Sequence, residues 1–213
     1  MAGKYLIVGC LMSESRRYEL KDEAFAELDP PVSGLRSRVR RAAVNSAGDD
    51  VSWDRSWNFF AYSYSRAFDP LWDAAYSRPS EVLNYPLLFV CRHSIELWLK
   101  AAQSSVTREH PRGGHGLQDL WSKLMDALDR HYGNRPDQID GIDGVFARKA
   151  RQAIKMLDNH DKVGDRFRYP VKKKFESYAS TTADLDELYR AHAIITAYCD
   201  AVCTQIEVER NRA

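Results

Sequence analysis

No charge of one sign dominates this sequence: 31 Lys and Arg stand against 30 Asp and Glu, a formal net charge of +1. Global charge therefore selects neither a nucleic acid nor an acidic partner, and only local clustering can do so. No apolar run approaches the ~20 residues that a bilayer-spanning helix needs. The N-terminal KYLIVGCLM is too short for a secretory apolar region followed by a cleavage site. A cytoplasmic chain without a membrane partner is the expectation. Cysteine is scarce, limited to Cys10, Cys91, Cys199 and Cys203, and no C-x-x-C occurs. Cys199 and Cys203 are four residues apart on an expected helix, but no His or second Cys pair accompanies them. Buried free thiols are expected there rather than a metal site. H-E-x-x-H and paired acidic ligand motifs are also missing. This reading calls for no metal and no cofactor. Internal repeats, low-complexity tracts and alternating strand patterns of useful length are absent as well.

What remains is helix. The stretch Tyr85–Gln103, YPLLFVCRHSIELWLKAAQ, reads as one helix starting near Pro86 and running to about Ser105. At ~100° per residue its apolar side chains cover more than half the circumference, which marks a largely buried helix. Arg92, Glu96, Lys100 and Gln103 fall in one narrow stripe, with His93 on its flank. Those groups must meet solvent, a pocket or each other. One reading is a thin solvated stripe with weak pairs at i,i+4; the other is a site.

Before it, Glu14–Leu28 has helix-forming composition and ends at Asp29-Pro30-Pro31. Arg36–Arg41 is a short basic patch and residues 46–50 form a loop. Trp53, Trp57, Phe60, Tyr64 and Phe68 recur on one helical face, either as core or as a base-stacking stripe, and Asp69-Pro70 is expected to break or kink that helix. After it, TREHPRGGHG (Thr107–Gly116) is a loop, and His115–His131 is a helix with His115 at its positive N-terminal end, favourable for an anionic ligand. Val145–Asn159 is helical, with Phe146, Ala150, Ala153, Ile154 and Leu157 inward. Arg148–Lys174 holds ten Lys or Arg and three Asp, a local +7, so the rest of the chain is about −6. That is either a phosphate-backbone surface or a solvated segment. The last helix, Ala183 to about Arg210, opens with a capping-box-like Thr181-Thr182-Ala183-Asp184 and buries His192 in its apolar stripe.

The expected fold is all-α: an antiparallel helical bundle over residues 51–213 with an N-terminal extension at 1–50. Three pieces stand in order along it. They are Arg92-His93-x-x-Glu96-Leu97-x-Leu99-Lys100, Gly114-His115-x-Leu117-x-x-Leu120-Trp121 and Phe167-Arg168-Tyr169-Pro170. This ordered set resembles bacterial HEPN-like proteins (higher eukaryotes and prokaryotes nucleotide-binding). The resemblance implies a commonly dimeric bundle linked to RNA cleavage, toxin–antitoxin pairs and phage defence. RNA, a nucleotide, an antitoxin or other partner protein, and a second copy of the chain are the partners it suggests. An Arg followed after four to six residues by His, which the resemblance ties to cleavage, occurs here only as Arg108 and His115.

If the three pieces converge, the site is cationic, with one carboxylate and imidazoles. Metal-free RNA cleavage needs a base for the 2′-OH, an acid for the leaving oxygen and cations for the phosphorane. The candidate catalytic residues are Arg92, His93, Glu96 and His115. Lys100, Arg166, Arg168, Tyr169, Lys172 and Lys173 are the candidate phosphate- or RNA-binding residues. The competing function is a non-catalytic nucleotide- or protein-binding regulatory module, in which Glu96 locks Arg92 and Arg168 into a structural network.

Overall fold

The computed structural model describes residues 16–21, 23, 56–77, 81–111, 114–133, 144–162, 164–169, 176–178 and 182–212. Among them are five long helices: α1 (Trp57–Ser77), α2 (Glu81–Thr107), α3 (Leu117–Tyr132), α4 (Gly144–His160) and α5 (Leu185–Arg210). No β-strand occurs among the described residues. The segment at 4–12, the stop at Asp29-Pro30-Pro31, the basic patch Arg36–Arg41, the loop at 46–50, Trp53, Pro170, Lys172 to Lys174 and Thr181 lie outside them.

The chain is an all-α helical bundle organised around α2, which packs against α1, α3 and α5; α4 closes the ring by packing on α3 and α5. Apolar residues all round α2 make it the centre: Leu87, Cys91, Ile95, Leu97, Trp98, Leu99, Ala101 and Ala102 are buried against three neighbours. Around it, Phe68, Trp72, Leu120, Leu124, Ile154, Tyr189 and Tyr198 are almost fully enclosed. Each large side chain so buried contributes roughly 1.5–3 kcal/mol. Cys91, Cys199 and Cys203 are buried free thiols, as expected.

Several boundaries differ from the sequence expectation, each for a physical reason. Helix α1 continues through Pro70. Pro70 is exposed, and Phe68 and Trp72, both fully buried, anchor the helix on either side. The core face of α1 is Ala61, Phe68, Trp72 and Ala75, with Trp57 and Tyr64 packed beside it. Phe60 falls on the rim and is 47% exposed. Helix α2 starts at Glu81, so Pro86 lies inside it rather than in its first turn. Asp184 is itself the N-cap of α5, accepting from the N–H groups of Asp186 and Glu187 at 2.8 and 2.9 Å.

Part of the first fifty residues belongs to the packed body. Residues 16–21 are helical, and Leu20 is fully buried in the common core. Arg16 reaches Asp186 on α5 at 2.8 Å, and Arg17 reaches Asp73 on α1 at 2.8 Å.

Polarity places the site. Helices α1 and α2 are antiparallel, as are α3 and α4, and α4 and α5. Helices α2 and α5 run the same way, with Ser94 beside His192 and Ser105 beside Cys203. So do α2 and α3, because the connection at 108–116 runs back along α2 and puts His115 beside Glu96 before α3 begins. That return retraces ~16 Å of helix rise, within the ~30 Å that a connection of this length spans.

Candidate functional site

The stripe read from the sequence is real in space. Arg92, Glu96 and Lys100 are linked through Glu96, while Gln103 is buried and donates to Leu120 O at 2.7 Å; Tyr85 and Phe89 share the same face of α2. Glu96 is at the centre, with its side chain 2% exposed. Its Oε1 accepts from Lys100 Nζ at 2.8 Å and sits 2.9 Å from His115 Nδ1; its Oε2 lies 3.5 Å from Arg92 Nη1. Burial alone would raise this carboxyl, but the hydrogen bonds and charges of Lys100 and His115 outweigh it and hold Glu96 below its ordinary value.

Arg92 is equally buried and works through backbone. Its Nε donates to the Asp161 carbonyl at 3.1 Å, and its Nη2 donates to the His115 carbonyl. One guanidinium thus ties two loops to α2, with the fork geometry that a lysine lacks. Burial lowers its pKa, and the charges of Asp161 and Glu96 oppose that.

Two aspartates absent from the expected site complete the frame. Asp161 Oδ1 accepts from the backbone N–H groups of Gly164, Asp165 and Arg166 at 2.9, 3.2 and 3.3 Å, closing a tight turn after α4. Gly164 has φ +80°, and a Cβ there would come within 3.0 Å of Arg92 Nη1 and 3.1 Å of His115 Cβ. Only glycine satisfies both the conformation and the contact. Asp158, buried at the end of α4, accepts from Leu117 N and Gln118 Nε2, each at 2.9 Å. The positive end of α3, expected to favour an anionic ligand, is therefore occupied by the protein's own carboxylate.

His115 precedes the N-cap Gly116 instead of opening the helix. Its side chain is 51% exposed. A carboxylate only accepts, so Nδ1 carries the proton donated to Glu96. The sequence pair Arg108 and His115 is not brought together: Arg108 caps the end of α2 with φ 59°, its N–H on Ser104 O, ~18 Å of helix rise beyond Glu96. Arg92 occupies the place beside His115 instead.

His93 is packed rather than displayed. Its ring stacks on Phe89 at 5.5 Å and meets the edge of Tyr64 at 4.5 Å, and its Nδ1 is buried without a hydrogen-bond partner. Burial lowers its pKa; Glu96 opposes this, while Arg168, Lys100 and His115 add to it. These charges act on one imidazole because they gather at one end of the bundle. Arg168 lies over Phe89, its guanidinium 5.3 Å from the ring centre. Arg166 turns inward and donates to His160 O at 2.9 Å, and Tyr169 is 58% exposed. Lys172 and Lys173 are outside the described residues. The basic segment does present a solvent face on α4, where Arg148, Arg151 and Lys155 are exposed, as is Lys162 just beyond it.

The sequence reading missed Asp158, Asp161, Gly164 and Phe89. Asp161-x-x-Gly164 after a helix is a legible turn signature; nothing local marked Asp158 or Phe89. A cavity of about 500 Å³ at the other end of α2 and α3, lined by His110, Lys123, Arg130 and His131 among others, contains none of the expected site residues. Among the described residues no three His, Cys, Asp or Glu side chains gather as a metal-binding group, and no helix is long and apolar enough to cross a membrane. No protein-family model, curated protein or solved structure matches this chain.

Proposed function

We propose that this chain acts on RNA or a nucleotide as a metal-independent ribonuclease, with the Glu96–His115 pair as its proton-transfer centre. The observation that carries the reading is the half-exposed imidazole of His115, whose Nδ1 lies 2.9 Å from a buried carboxylate. A carboxylate behind a histidine fixes the tautomer and stabilises the imidazolium that forms when the ring takes a proton. His115 Nε2 removes the 2′-OH proton, the 2′-oxygen attacks the adjacent phosphorus, and the 5′-oxygen leaves with a proton from water. Lys100 complements the charge on the phosphorane. Arg92 positions His115 through its carbonyl and touches no substrate. The order of the three motifs, which resembles HEPN-like proteins, supports the same class and a setting in toxin–antitoxin pairing or phage defence.

A second reading, a non-catalytic nucleotide- or protein-binding regulatory module, draws on the balance of the buried charges. Arg92 faces Glu96 and Asp161, and Lys100 faces Glu96. A network so paired also serves to hold loops in place. One experiment separates the two: incubation of RNA with the purified protein in EDTA, beside His115→Ala and Glu96→Gln variants shown to be folded by circular dichroism. The ribonuclease reading expects fragments ending in a cyclic phosphate, with loss of about 10²–10⁴-fold in rate for His115→Ala and a smaller loss for Glu96→Gln. Intact RNA with the wild-type protein leaves the binding module in its place.

A further inference from the structure

We infer that Arg168 and Phe89 form a nucleobase-stacking subsite next to the Glu96–His115 pair, so that the ligand is an unpaired, single-stranded RNA segment. The inference rests on the RNA-directed reading above and specifies its substrate. Three observations carry it. First, the guanidinium of Arg168 lies over Phe89 at 5.3 Å, and Phe89 is backed in turn by His93, nearly parallel at 9°. Tyr64 meets His93 in a T-shaped contact at 4.5 Å. The platform is held in one orientation by three aromatic rings, two of which come from α2 itself. Second, Arg168 is exposed, and its side chain makes no hydrogen bond or ion pair with any described residue. Arg92, Lys100 and Arg166, by contrast, are all engaged. An exposed cation on a ring is worth little to the fold, and Arg168 is exposed beside Phe89. Third, Phe89 and Glu96 are on the same face of α2, ~10 Å apart along its axis. Tyr85, one turn before Phe89, is 63% exposed, and Tyr169, next to Arg168, is 58% exposed.

A planar cation takes the π-face of a base, and a neighbouring imidazole and ammonium take the phosphate that follows it. A base paired in a duplex hides both of its faces in the stack, so the subsite selects unpaired strands. This changes the role of Arg168 from a charge that meets phosphate to a plane that meets a base.

The test is affinity of the full chain for a short fluorescently labelled RNA, single-stranded, as a duplex, and single-stranded with one abasic position at each site in turn. Arg168→Lys keeps the charge and removes the plane. The single strand is expected to bind more tightly than the duplex, and Arg168→Lys is expected to weaken it by roughly five- to a hundredfold, the range for one stacked base. One abasic position should weaken wild type to a similar degree and leave the Lys variant unchanged. Wild-type affinity in Arg168→Lys, or equal binding of single strand, duplex and abasic strand, overturns the subsite while the RNA-directed reading stands. No binding of any RNA by wild type overturns both. Phe89→Leu, checked for folding, should reproduce the loss seen in Arg168→Lys; undiminished binding there also overturns the subsite.

Discussion

On one face of α2, Arg92, Glu96 and Lys100 join His115 and Asp161 in a charged network. On the opposite face, about 180° around, Trp98 Nε1 donates to Ser65 Oγ at 2.7 Å, Ser65 meets Ser94 at 2.8 Å, and Ser94 lies 3.0 Å from His192 Nε2. The second chain is neutral. Burial pushes His192 down to about 3, so its imidazole carries no charge near neutrality. The difference follows from what each face meets. Three helices converge on Ser94, and there hydroxyls, an indole and a neutral imidazole satisfy one another. The charged face meets the ends of two loops, whose carbonyls and N–H groups absorb a guanidinium and a carboxylate, and it reaches solvent at His115. A polar group on α2 therefore holds helices together on one side and positions loops on the other.

The two faces should break differently. The largest effect is expected from Arg92→Ala, which removes the guanidinium facing Glu96 and Asp161 and the donor to the Asp161 and His115 carbonyls. Removing one partner from a buried charged network costs about 3–5 kcal/mol. Chemical denaturation should show that loss, and Arg92→Lys should recover only part of it, since one ammonium does not span both carbonyls. Equal stability of Arg92→Ala and wild type would mean that the network is not a structural anchor.

Acid should separate the faces next. His192 is neutral in the folded chain down to about pH 3 but titrates near 6.5 when unfolded. Below that value the unfolded chain takes up the proton first. The contribution of His192 is therefore complete above about pH 6.5 and declines as pH falls toward 3, on the order of a few kcal/mol in total. Glu96 is also depressed, so its contribution is present above the ordinary carboxylate value and is lost at lower pH still, as its folded value is crossed. Thermal unfolding between pH 7 and 4.5 should follow the two depressed histidines, His192 on the neutral face and His93 beside the charged one, and His192→Gln should reduce that slope. An unchanged slope would assign the acid sensitivity elsewhere.

Ser94→Ala is the smallest of the three. It removes the link between Ser65 and His192 and leaves buried polar atoms unpaired, at about 1–3 kcal/mol. A double-mutant cycle with Ser65→Ala should be non-additive, because both act on one chain. Strict additivity would show that the hydroxyls contribute separately.

Much of this was legible in the residues. The apolar periods fixed the helical class and the inward faces of α3, α4 and α5. The Arg92, Glu96 and Lys100 stripe was visible as polar groups on a helix with no other polar face. Local rules failed at Pro70 and Pro86, because packing on either side outweighs one missing hydrogen bond. They also failed at Asp184, which is the N-cap rather than a residue inside the helix. His115 was legible as chemistry but not as geometry, since nothing in TREHPRGGHG says that the loop turns back.

The sequence by itself determined that the chain is helical, that α2 is buried, and which charged residues α2 carries. These depend on local propensity and on the 3.6-residue period, which act over a few turns. Only the tertiary structure decided that α2 and α3 run the same way, that His115 meets Glu96, and that Asp158 rather than an external anion fills the start of α3. Those pairings join residues far apart in sequence, and they form only when the buried carboxylates and the guanidinium must find partners in a shared interior.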